Sequence, residues 1–290
     1  MTKLSLYLKE KSLQVNGRFS EMHFVNGHLE QVTGNGGKFL LASCSKMIVG
    51  SMLFKQLIEN KININEKFRE FLGQFNVYFN GDIFDFLGHR TNLIDYLDIY
   101  GVNHQKNNQQ ILEEFLTRRE IKNIDIFQYN NTNYLALFAF INNLVDPDQF
   151  LASFSEQISM MNSGEFHSID QNNKNKIILA ESNTCFGDGG FIIDIDKYKK
   201  RKNSFFSSFI SQVNQSFEFF LKGSSKIDIN TNYNFGLFTS IRGHKRYFHH
   251  SGFYNSNISY FVMDESLSGS LILLNHENVD KEIIESFLFI

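Results

Sequence analysis

Ser43 and Lys46 form the only Ser-x-x-Lys of this sequence, and the apolar run Met47–Ile58 follows at once. Positions i and i+3 share a face on the first turn of a helix, so the Lys46 amine can reach the Ser43 hydroxyl. A serine hydroxyl is a poor nucleophile until a base takes its proton, and a lysine partly stripped of water can serve as that base. A helix N-terminus adds backbone N–H groups that favour a developing oxyanion. Cys44, between two serines, reads as a small buried filler, because a cysteine nucleophile needs its own histidine. His244, His249, His250 and His276 lack metal-ligand spacing and a cysteine companion, so no metal and no cofactor is expected. The basic run Lys197–Lys202 reads as a solvated face, and Gly187–Gly190 is too short for a phosphate loop.

The elements that must carry this chemistry come from an ordinary globular composition. The chain has 290 residues, 42% of them hydrophobic and 20% charged, with a net charge of -3. That length supports one large domain or two modest ones. The charge excludes a general nucleic-acid binder, which needs a basic excess. Two cysteines, Cys44 and Cys185, make no disulfide framework. No apolar run reaches the roughly 18 to 20 residues of a membrane span, and the charged start at Lys3–Lys11 lacks the form of a secretory signal. A cytoplasmic protein is expected. The 32 phenylalanines, with a single proline and no tryptophan, fit AT-rich codon usage and carry no functional message.

Residues 1–12 read as a short amphipathic helix. Two strand-like runs between Arg18 and Val32 flank Asn26-Gly27, a strong hairpin signal. Helical patterns dominate from 61 to 185, at Gln109–Arg119, Asn133–Val145 and Gln149–Met161, and Asp194–Leu221 reads as one or two more helices. Strand-like runs return at Tyr233–Ile241, Arg246–His250, Ile258–Asp264 and Ser270–Asn275, before a closing helix at Val279–Phe287. The pattern predicts an α+β fold. It is an antiparallel sheet flanked by helices in a single domain, with a sheet lobe at about 1–60 and 186–290. A mostly helical lobe, about 61–185, is inserted.

The segment Phe39–Lys67, with Ser43-Cys44-Ser45-Lys46 opening its helix, resembles the active-serine segment of the serine β-lactamase and penicillin-binding-protein superfamily. Its nearest likeness is to the class C β-lactamase, esterase and D-aminopeptidase branch. Phe127–Leu137 is similar to that family's "F-x-Y-S-N-x-x-Y-x-L-L", and His250-Ser251-Gly252 to its "G-H-x-G". The resemblance implies that Tyr129 shares proton traffic with Lys46, and that Asn131 holds Lys46 and donates to a substrate carbonyl. It implies that His250 and Ser251 face substrate and that Gly252 leaves room along the strand edge. The Phe253 and Ser43 N–H groups then form the oxyanion hole. Tyr78-Phe79-Asn80 lacks a following apolar helix and reads as a decoy. Three features depart from the family pattern: the Pro-Gly loop after His-x-Gly is absent, and two stretches differ. Leu93–Val102 stands where "L-L-x-H-T-S-G-L" is usual, and Gly187-Asp188-Gly189-Gly190-Phe191 stands for "A-G-G-L-x-S-T-x-x-D".

The function this implies is a serine hydrolase working through acyl-Ser43 on a small ester or amide, with a small-molecule or peptide acyl substrate as its partner. Two alternatives remain open on the same fold. One is a cytoplasmic acyltransferase or cyclase of specialised metabolism; the other is a non-catalytic binding protein.

Overall fold

The computed structural model describes residues 6–7, 10 and 18–275, apart from 60–62, 102–103, 105, 147–148, 151–156, 161–166, 170–176, 180–185, 201–203 and 255. The expected helix at 1–12 lies largely outside the described residues, and the one at Val279–Phe287 wholly so.

An eight-stranded antiparallel sheet carries the fold. Its order is Ser225–Lys226, Thr231–Asn234, Leu237–Arg242, Lys245–Tyr254, Asn257–Asp264, Gly269–Asn275, Arg18–Val25, His28–Gly34. The N-terminal hairpin thus completes a sheet built mostly by the C-terminal meander. Asn26 and Gly27 both have positive φ, 50° and 81°, as a two-residue hairpin turn requires. Successive side chains point to opposite faces. Leu271 and Leu273 therefore join the main core with Met22, Phe24 and Phe261, while Ile272 and Leu274 join Phe19, Ile258 and Tyr260 on the other face. Both faces are covered, so Leu271–Leu274 is an unbroken apolar run.

The Lys46–Glu59 helix packs its buried side chains into the main core. Phenylalanines fill much of that core with edge-to-face contacts, such as Phe54–Phe235 at 4.9 Å and Phe68–Phe86 at 4.8 Å. The expected run Tyr233–Ile241 is two strands, because Phe235 and Gly236 turn the chain with φ of 49° and 75°. This turn presses on the helix: a Cβ on Gly50 would meet the Phe235 carbonyl oxygen at 1.8 Å, and one on Gly236 would meet Lys46 backbone at 2.3 Å.

Between 64 and 142 the described elements are mostly helices, including Ile64–Gly73, Tyr96–Tyr100, Asn108–Leu116 and Asn131–Asn142. The helix expected over Gln149–Met161 does not extend to its end. Ile158–Met160 is a strand that pairs with Phe191–Asp194, which in turn pairs with Lys38–Leu40. Cross-strand pairing overrides the local helical pattern there. The span Asp194–Leu221 holds the helices Ile195–Tyr198, Phe205–Gln215 and Phe217–Leu221.

Candidate active site

Ser43 lies in a single 3-10 turn, Ala42–Ser45, between the Lys38–Leu40 strand and the Lys46–Glu59 helix. Ala42 has φ of 44°, a conformation that costs a non-glycine residue energy and must be held by its surroundings. The holding bonds are Leu41 N–H to the Phe191 carbonyl at 2.9 Å and Phe191 N–H to the Ser45 hydroxyl at 3.2 Å. Ser43 remains half-buried while Cys44 and Ser45 are fully enclosed.

The Lys46 side chain has no exposure. Its three ammonium hydrogens have three acceptors in reach: Asn131 Oδ1 at 2.7 Å, the Asp188 carbonyl at 3.1 Å and Ser43 Oγ at 3.4 Å. A buried ammonium so satisfied is held at one point, and its longest bond is the one to the serine. The Nζ also lies 4.9 Å from the centre of the Tyr129 ring, over its face.

Asn131 opens the Asn131–Asn142 helix, and Asp95 fixes it. One Asp95 oxygen, Oδ2, accepts from both the Asn131 backbone N–H at 2.9 Å and its Nδ2 at 2.8 Å. The other accepts from Leu97 N–H at 3.0 Å, capping the Tyr96–Tyr100 helix. The carboxylate thereby ties two helix starts together and turns Asn131 Oδ1 toward Lys46.

Asp188 enters from the glycine stretch. A Cβ on Gly187 would meet Phe138 Cβ at 2.5 Å and the Tyr134 carbonyl oxygen at 2.6 Å, so only glycine lets the chain reach this depth. Asp188 Oδ2 accepts from the Tyr96 hydroxyl at 2.7 Å. Burial pushes its carboxyl up to about 6, against the opposing pull of the Lys46 charge. Ser43, Asn131, Asp188, Gly189, Tyr96 and Phe253 are among the residues lining a cleft of about 130 Å³.

The fourth segment is the Lys245–Tyr254 strand. Its pairing with Leu237–Arg242 ends at His249 opposite Phe238, while pairing with the next strand continues to Tyr254. Over this stretch the strand abuts the serine turn. Gly252 is in backbone contact with it, and Cys44 Sγ donates to the His250 carbonyl at 3.3 Å. Burial pushes the Cys44 thiol up to about 12, consistent with a filler. Phe253 lines the cleft; His250 and Ser251 are not among its lining residues. His250 is 1% exposed. Its Nδ1 donates to the Ser251 carbonyl at 2.6 Å, leaving Nε2 to accept from the Tyr233 hydroxyl at 3.4 Å. Its ring centre lies 6.2 Å from that of Tyr129.

The structure thus gathers Ser43, Lys46, Tyr129, Asn131, Gly252 and Phe253, and sets His250 among aromatic rings beside Tyr129. Sequence reasoning missed Asp95, Asp188 and His89. The last left a trace: Leu87, His89 and Leu93 repeat the Leu-x-His-x-x-x-Leu spacing of the loop whose place was assigned above to Leu93–Val102.

No family model matches the sequence, and no curated protein matches it either. Solved structures do match in shape. A penicillin-binding protein from Bacillus halodurans superposes with a TM-score of 0.71 at 12% identity, covering 97% of each chain. The octameric penicillin-binding protein homologue from Pyrococcus abyssi gives 0.69 at 14% identity, over 97% of this chain and 75% of that one. This chain has the penicillin-binding-protein-like fold. The D-amino acid amidase from Ochrobactrum anthropi SV3, complexed with L-phenylalanine amide, shares that fold. It gives a TM-score of 0.63 at 14% identity, over 94% of this chain and 90% of that one. Among the described residues, no helix is long and apolar enough to cross a membrane.

Proposed function

We propose that the protein is a serine hydrolase that works through an acyl-Ser43 intermediate on a small ester or amide. One observation carries this reading: a fully buried Lys46 Nζ bonded to Ser43 Oγ and Asn131 Oδ1, on a fold shared with a D-amino acid amidase. Tyr129, with Lys46 over its ring, takes the Ser43 proton. Oγ then attacks the substrate carbonyl carbon, and the N–H groups of Ser43 and Phe253 hold the oxyanion. Collapse breaks the bond to the leaving group, which departs with the proton. Water then attacks the acyl carbon, releasing the acid and restoring Ser43.

Asn131 keeps Lys46 in place, and His250 belongs to the ring packing around Tyr129 rather than to the substrate contacts. The cleft of about 130 Å³ is well below the roughly 300–1,000 Å³ of sites for larger ligands, which fits a short acyl group. The test is pre-steady-state turnover of a short-chain p-nitrophenyl ester. A burst of about one p-nitrophenol per chain, lost in Ser43→Ala, is the expected result. Turnover that survives Ser43→Ala would remove the reading.

A further inference from the structure

His89 touches the Tyr129 segment in three ways. Its carbonyl accepts from Gln128 N–H at 2.9 Å, and its side-chain Nδ1 accepts from Asn130 N–H at 3.1 Å. Its ring lies 4.6 Å, centre to centre, from the Tyr129 ring. The N–H groups of both residues flanking Tyr129 and the phenol ring itself therefore rest on one residue. That residue adopts φ of 55°, in the left-handed region that is uncommon for anything but glycine.

The loop around it is anchored independently. Tyr134 hydroxyl donates to the Leu87 carbonyl at 3.0 Å, Ser225 hydroxyl donates to the Gly88 carbonyl, and Arg90 pairs with Asp85 at 3.1 Å. His89 is a fixed post, not a passenger on Tyr129.

Packing alone does not account for a histidine here. The residue has no exposure and sits among the rings of Phe127, Tyr129, Tyr134 and Tyr233. Because Nδ1 accepts an amide hydrogen, the ring proton is on Nε2. Nε2 has no hydrogen-bond partner among the described residues. An apolar side chain would fill the slot without stranding that N–H, but would lose the acceptor for Asn130. Burial first, then the Lys46 charge, holds the His89 imidazolium well below its ordinary range, which preserves the Nδ1 lone pair.

We propose that His89 is a positioning residue for the Tyr129 base, setting where the phenol oxygen stands relative to Ser43 and Lys46. This rests on the reading of Tyr129 as the group that takes the Ser43 proton. A displacement of about 1 Å at a reacting group is enough to cost about 10²-fold in rate.

The experiment measures single-turnover acylation by a p-nitrophenyl ester in His89→Asn, His89→Gln and His89→Leu, each in the wild-type and Tyr129→Phe backgrounds. Asparagine tolerates positive φ and puts an oxygen near the Nδ1 position; glutamine reaches toward Nε2 and leaves Asn130 N–H without an acceptor. His89→Asn is expected to acylate within about threefold of wild type, and His89→Gln and His89→Leu to lose about 30-fold or more. In the Tyr129→Phe background the same changes should cost less than about threefold, since groups acting as one unit are non-additive. Equal losses in both backgrounds, or His89→Gln acylating as fast as His89→Asn, would overturn the proposal whether or not His89→Leu folds. Near-normal acylation by Tyr129→Phe alone would instead remove the base reading beneath it.

Discussion

A Cβ on Gly252 would stand 2.9 Å from the backbone nitrogen of Ser43. The sheet strand and the serine turn therefore meet backbone to backbone at this point. The same Cβ would lie 2.4 Å from the Leu41 carbonyl oxygen and 2.4 Å from Ser259 Oγ. Gly252→Ala must push the turn off the strand. It should destabilise by about 1–3 kcal/mol and slow acylation at least tenfold, an order of magnitude set by misplacing an oxyanion donor. Urea denaturation and burst kinetics read the two effects separately.

Ser43→Ala, Lys46→Ala and Tyr129→Phe should each lower turnover by about 10³-fold or more, and double variants should lose little beyond the worse single. Steady-state hydrolysis with circular dichroism as the folding control measures this. Multiplying losses would show that the three do not act as one unit.

Asn131→Ala removes the 2.7 Å acceptor of Lys46 and the side-chain bond to Asp95 at once, leaving only the backbone one. Losing hydrogen bonds to buried charged groups should cost about 1.5–3 kcal/mol of stability. Activity should fall with it, because Nζ is then free to leave Ser43. An unchanged urea midpoint would contradict the role given to this amide.

Four residues of the candidate site are legible because their signal is local: Ser-x-x-Lys ahead of an apolar run, and Tyr-x-Asn ahead of another. The Asn-Gly hairpin was legible for the same reason. Asp95, Asp188 and His89 act across the chain, so their roles do not follow from their neighbourhoods, even though His89 carries the Leu-x-His-x-x-x-Leu spacing and Asp188 lies in a glycine stretch. Asp188 reaches Lys46 only because the Lys38–Leu40 and Phe191–Asp194 strands pair. The turn inside Tyr233–Ile241 was missed because Phe235 takes a positive φ that its residue type does not advertise. That conformation is held by contact with the Lys46–Glu59 helix. The His-x-Gly motif implies that His250 faces substrate, whereas the structure packs it against the rings of Phe238 and Tyr233.

Asp188 carries a pH prediction. Its folded-state carboxyl is raised to about 6, above the ordinary 3.8, so the native state binds more protons than the unfolded chain between those values. Stability from this group is fully present below about pH 4 and falls as pH rises toward 6. Asp188→Asn lacks this loss. Its stability relative to wild type should therefore increase from pH 4 to pH 6 and level off above. Urea midpoints of both proteins across that range supply the test; a flat difference would contradict the raised carboxyl.

Cys44 should resist thiol reagents while the protein is folded, since its thiol is enclosed and pushed up to about 12. In a Cys185→Ser protein, reaction with an aromatic disulfide should wait for denaturant. Fast native-state reaction would reopen Cys44 as a nucleophile and weaken the assignment to Ser43.

Nucleophilic Ser43 is tested by intact mass after treatment with a fluorophosphonate probe, followed by peptide mapping. One adduct per folded chain is expected, on Ser43, absent from Ser43→Ala and slowed in Lys46→Ala. A folded wild-type protein that takes up no probe, or carries it on a residue other than Ser43, would contradict it.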